Sequence, residues 1–113
     1  MNSLDVELAS AAVAVAPRVT LEALNARVSS EQYLIVDGIL TICVLKMANG
    51  FYITGESAPA SPENYNAELG QQFAREQAIR KAWAFEGYSL RDRLAATDLV
   101  AVMSDLKDAG VEQ

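Results

Sequence analysis

The sequence predicts an α+β fold: a small three-stranded antiparallel meander packed against a long helix, with further N- and C-terminal helices. Three observations carry this. Two hairpin turn signals, Asp37-Gly38 and Asn49-Gly50, separate three short β-prone runs. Ser61-Pro62-Glu63 follows as a helix start: Ser61 as the cap, Pro62 where a missing N–H costs nothing, Glu63 in the positive first turn. Beyond it lies a stretch of more than twenty residues with no proline.

The elements follow in chain order. Ser3 caps a first helix running to about Ala16, where Pro17 stops it. Thr20 caps a second, with Val19 and Leu24 at hydrophobic-staple positions and Glu22 in its first turn. Leu21, Leu24 and Val28 share one face, and Ser29-Ser30 ends the helix. Tyr33 to Val36 is the first strand. Ile39 to Lys46 is the longest strand, apolar on both faces, hence central and covered on both sides for most of its length. Phe51 to Thr54 returns as the third. Val36, Ile42, Val44 and Phe51 are expected to be mostly buried. A meander this small needs helices over it to be stable.

The long helix runs from Ser61 to about Glu86, with Gly87 as its left-handed terminator. Ser89 caps another helix, and Thr97-Asp98 breaks it or begins the next. Leu99, Val100, Met103 and Leu106 line the inner face of the last helix. At 100° per residue, Tyr65, Leu69, Ile79 and Trp83, with Phe73 at the edge, form a core stripe. Gln72, Glu76 and Arg80 recur at i, i+4, i+8 inside it, with Glu76 before Arg80 in the favourable order for an ion pair. Ala67, Gly70, Ala74 and Ala78 make a small-residue ridge on the opposite side. That ridge admits a second backbone: the last helix, the N-terminal helix or a second subunit.

Composition bounds the function. At 113 residues the chain is one domain, with residues 1–17 as a helical arm and 96–113 as a C-terminal helix. Such a chain buries about 65% of its unfolded surface, enough for one core. The net charge of −6 disfavours general nucleic-acid binding, which needs a cationic field. Histidine is absent, removing the commonest general base and zinc ligand. No metal and no cofactor is expected. Cys43 sits in an apolar strand without a histidine partner and reads as a small hydrophobe. Ser57 lies in Thr54-Gly55-Glu56-Ser57, which is not a nucleophile elbow, and there is no Walker or dinucleotide loop. The apolar run Leu8 to Ala16 is preceded by Asp5 and Glu7 rather than by positive charge, and is too short to span a bilayer. The expectation is a non-enzymatic protein of the cytoplasm that does not engage membranes.

The motifs Asn49-Gly50-Phe51, Thr54-Gly55-Glu56-Ser57 and Ser61-Pro62-Glu63-Asn64-Tyr65-Asn66 come in order, followed by Glu68 and Gly70. Trp83, Glu86-Gly87-Tyr88, Leu90-Arg91 and Arg93-Leu94 complete the series. Together they resemble a family of small tailed-bacteriophage proteins known by the gene-49 and gene-66 products of its founding phages. The resemblance covers roughly residues 18 to 95. The N-terminal arm and last helix lie outside it, and the segment before Ile39 is shorter than the family pattern. It implies a phage origin, a small soluble protein of the host cytoplasm, and no established activity or catalytic residues.

Two functions remain. The first is an accessory protein that binds a host or phage protein, for host takeover or anti-defence, and forms a homodimer to cover surplus apolar surface. Its candidate contact residues are Glu56, Ser57, Glu63, Asn64, Gln72, Glu76 and Arg80, since Glu56 and Asn64 have no evident folding role inside a specific motif. The alternative is a binder of a small anionic ligand or nucleotide, using the loop from Gly55 to Ser61 at the N-terminus of the long helix.

Overall fold

A computed structural model describes residues 2–5, 8 and 17–108. Helix α1 (Leu21–Ala26) leads into strands β1 (Val28–Val36), β2 (Leu40–Met47) and β3 (Tyr52–Ser57). A 3-10 turn (Pro62–Asn64) then precedes helix α2 (Ala67–Asp108). The sheet is antiparallel in the order β1-β2-β3, so the longest apolar run is the central strand, as its composition predicts.

Local chemistry accounts for the elements up to β3. Thr20 accepts the Ala23 N–H through its side chain (3.0 Å) and caps α1. Its neighbour Val19 packs against the core beside fully buried Leu24. The β1–β2 turn puts both Asp37 and Gly38 at positive φ (55° and 66°), as a two-residue hairpin of this hand requires. At the second turn Gly50 alone is left-handed (φ 89°), and Asn49 accepts the Phe51 N–H through Oδ1 (3.0 Å). Strand β1 begins five residues earlier than its β-prone run, at Val28. The Arg27 carbonyl accepts from Ala48 and the Ser29 hydroxyl donates to the Lys46 carbonyl, so the two serines extend the ladder through an irregularity between Val28 and Ser30.

Among the described residues only one face of the sheet is covered. Thr41, Cys43, Leu45 and Met47 of β2 point at α2 and are buried, while Leu40, Ile42 and Val44 on the other face are half-buried and Lys46 is exposed. Val36 is 41% exposed and Phe51 51% exposed, contrary to the expectation of burial; Phe51 meets Phe85 edge-on, with centroids 5.2 Å apart. The physical reason is that α2 is the single layer laid on this sheet among the described residues. Apolar character on both faces of a strand does not require two covers.

The helix turns its small residues inward. Ala74, Ala78 and Ala82 are fully buried in one i, i+4 row with Gly70, against the sheet. The partner of the small-residue ridge is therefore the sheet of the same chain, β3 at Ala74 and Ala78 and β2 at Gly70, and Ala67 is exposed. A Cβ at Gly55 would overlap the Ala74 carbonyl oxygen and lie 2.5 Å from the Ala78 amide nitrogen. The expected core stripe rotates outward to match: Ile79 is buried and Trp83 half-buried, but Leu69 is 46% and Phe73 60% exposed. At the start of the row, a Cβ at Gly70 would come within 2.7 Å of Thr41 Oγ1, a buried hydroxyl with no hydrogen-bond partner among the described residues.

Helix α2 differs from expectation at both ends. Ser61 makes no side-chain cap; its hydroxyl bonds the Glu63 carboxylate above a single 3-10 turn. Tyr65 then turns the backbone extended, and Asn66 caps α2 by accepting the Leu69 N–H at 2.9 Å. At the other end the helix runs straight through Gly87, Ser89 and Thr97. Gly87 does not adopt positive φ. Ser89 accepts from Arg93 (2.7 Å), and Thr97 donates back to the Arg93 carbonyl (3.0 Å), so both residues bond within the helix instead of ending it. At the chain's start the helical turn of residues 3–5 is capped by Asn2, not Ser3, since Asn2 Oδ1 accepts the Asp5 N–H at 2.9 Å. Most of the expected helix up to Ala16 lies outside the described residues.

Two outcomes check this packing. Gly55→Ala is expected to lower stability by about 3 kcal/mol, because the clash is with backbone that cannot move aside. A urea midpoint within error of the parent would disprove the close approach. Asn66→Ala is expected to cost about 1 kcal/mol. Ser61→Ala should stay within about 0.5 kcal/mol, and the reverse ranking in paired urea melts would return the cap to Ser61.

Candidate functional site

The predicted contact residues fall on three different surfaces. Glu56 stands on the open face of the sheet, opposite Ile42 in the β2–β3 register. Its amide donates to Gln77 Oε1 (2.7 Å), and its carboxylate lies 3.9 Å from the Lys81 ammonium, which itself donates to the Thr54 carbonyl. Ser57 and Asn64 line a shallow cleft of about 170 Å³ between the loop after β3 and the start of α2, together with Ile39, Tyr65, Leu69 and Phe73. Glu63 is exposed beside it. Gln72 and Arg80 are exposed, and Glu76 is half-buried because the Ser3 N–H and hydroxyl both donate to its carboxylate. No Glu76–Arg80 ion pair forms among the described residues.

The loop cleft is chemically ill-suited to an anion. No cationic side chain lines it. Pro62 has no N–H; those of Asn64 and Tyr65 go to the Ser61 and Pro62 carbonyls, and that of Leu69 to the cap. The Glu63 carboxyl is held below the usual carboxylate range by its bond from Ser61, which keeps negative charge at the loop.

Basic residues gather elsewhere. Arg18, Arg27 and Arg93 line an open cleft of about 310 Å³ between α1 and α2, with Leu24 and Leu90 as its apolar wall. Glu86 lies in the same cleft, 88% shielded at its side chain, with Arg27 Nε 3.3 Å from its carboxylate. Sequence reading missed this grouping because Arg18 and Arg27 flank a helix of six residues, and only the tertiary fold brings Arg93 beside them. Among the described residues no cluster of acidic or cysteine side chains is placed to hold a metal ion. No described helix is long and apolar enough to cross a membrane.

The open sheet face adjoins Glu56. Register places Leu34 opposite Ile42 and Val36 opposite Leu40 on β1, and Thr54 opposite Val44 on β3. Leu34 and Val36 are exposed, and Leu40, Ile42 and Val44 half-buried, so the face is an apolar band. Gln32, Lys46 and Glu56 rim it with polar groups. The opposite face holds Cys43. It is fully buried, and burial pushes its thiol above the ordinary value. Nearby Tyr33 is pushed up to about 12, first by burial and then by the neighbouring Cys43 and Glu31, with Arg75 opposing. Both groups are held neutral, which suits packing rather than nucleophilic attack.

The sequence pattern of the phage protein family described as N4 Gp49/phage Sf6 gene 66 matches residues 19–94. Comparisons with curated proteins and with solved structures give no match.

The raised Tyr33 value has a stability consequence. The ordinary value is 10.0 and the folded value about 12, so between those limits the unfolded chain has released a proton that the folded chain still holds. Stability therefore falls as pH rises through that window. The urea midpoint should drop more steeply above pH 10 for the parent than for Tyr33→Phe; equal slopes would show that Tyr33 ionises freely in the folded state.

Proposed function

The chain belongs to the N4 Gp49/phage Sf6 gene 66 family of phage proteins, and on that premise we propose that it acts by binding a host or phage protein, in the host cytoplasm, and not by catalysis. The observation that carries this reading is the sheet face left uncovered among the described residues. Monomeric proteins rarely leave a contiguous apolar band open, and those that do commonly use it for recognition. The band around Ile42 supplies apolar contact, and Glu56 and Lys46 at its rim supply orientation. This is the usual division of labour between the core and rim of an interface.

Of the residues singled out by sequence, Glu56 belongs to this surface. Ser57, Glu63 and Asn64 lie at the neighbouring loop. Gln72, Glu76 and Arg80 sit on the far side of α2 and are not part of it.

Ile42→Lys tests the proposal, because it changes the open face and leaves the helix-side core intact. A tagged parent protein should retain a specific partner from a lysate of infected host cells, and the variant should lose it with a melting temperature within about 3 °C of the parent. Full retention of that partner by a folded Ile42→Lys protein would sink the assignment.

A further inference from the structure

Among the described residues nothing covers the distal part of α2. From Ala95 to Leu106 every residue is exposed, and Leu99 is 60% exposed. Most helical stability in proteins comes from tertiary packing of an apolar face, which this stretch lacks among the described residues. Its apolar side chains are not scattered: Tyr88, Ala95, Leu99, Val102 and Leu106 follow the alternating three- and four-residue spacing of a coiled-coil seam, with Asp92 in the remaining seam position. We propose that this segment is a self-association surface, and that two copies of the chain pair through residues 88–106 as an antiparallel two-helix coil.

The occupant and its direction follow from charge. The positions flanking the seam on one side are Arg91, Asp98 and Asp105. In an antiparallel pair such positions face one another across the dyad. Setting Tyr88 against Leu106 and Ala95 against Leu99 brings Arg91 of one copy to Asp105 of the other, twice by symmetry, and brings the two Asp98 side chains together at the exposed flank on the dyad, each beside the Arg91 guanidinium of its own chain (3.2 Å). In a parallel pair Asp92 would meet its own copy in the seam, a like-charge contact without a partner. The antiparallel register places Asp92 against Val102 near the end of the contact instead. Within one chain Arg91 already reaches Asp98 (3.2 Å), so the guanidinium is held on the side of the seam where Asp105 of a second copy arrives. The seam shares no residue with the open sheet face, so this surface is separate from the one proposed for a partner protein.

Light scattering on the untagged protein at high micromolar concentration should give twice the monomer mass of 12.2 kDa. A monomer there overturns the inference. Leu99→Asp should abolish the dimer; a dimer that persists would place the interface elsewhere. Arg91→Asp should raise the dimer dissociation constant about tenfold. Adding Asp105→Arg should restore it, because the two sites are about 21 Å apart along one helix and meet only between antiparallel copies. A double variant no tighter than Arg91→Asp alone overturns the antiparallel register. Retention of the lysate partner by Leu99→Asp would show that the two surfaces are independent.

Discussion

The fold depends on one close approach: the backbone of β3 at Gly55 lying against α2 at Ala74 and Ala78. No side chain stands between them, so helix and sheet meet at near-backbone distance. That distance lets Leu45, Cys43 and Ile53 of the sheet and Ile79 of the helix close into one small core together with Leu24. It also fixes how α2 is rolled about its axis. Once the alanine row faces inward, Leu69 and Phe73 must turn outward and Glu86 must turn toward Arg27. The cleft, the open sheet face and the projecting half of α2 all follow from that roll.

Much of the fold is legible because local signals and tertiary structure agree. Asp37-Gly38 has one low-energy conformation between two strands, and Thr20 with Val19 and Leu24 satisfies both the polar and apolar parts of a helix start. Where the reading failed, a local signal was real but was used differently. Small residues resembled an outer ridge because hydrophobic ranking gives alanine little weight, yet buried alanine is what a glycine on the facing strand requires. Ser61-Pro62-Glu63 begins a helical turn, but a 3-10 one, and Asn66 five residues on carries the lasting cap. Gly87 is tolerated inside α2 because a single glycine costs only about 1 kcal/mol.

The candidate site was less legible than the fold. Glu56 and Asn64 belong to consecutive motifs but sit on different surfaces, since Glu56 faces the open side of the sheet and the loop after β3 carries Asn64 to the helix start. Glu76 and Arg80 had the spacing of an ion pair, but Ser3, far away in the chain, took the carboxylate. The basic cleft required three segments to converge. What could be read was the surplus of apolar surface. Its location could not, because two-faced apolar strands look alike whether a second layer covers them or not.

The sheet order β1-β2-β3 has a consequence for how the molecule forms. Every strand pairs with its neighbour in sequence through a turn of a few residues, so no long loop must close before the ladder forms. The core residues end at Ala82, and the covered part of α2 lies next in sequence to the strand it packs on. Low contact order of this kind favours fast folding. The cooperative unit is complete before the distal half of α2 is reached. That half can change its sequence without altering the route to the native core, so any constraint on it comes from association rather than from folding.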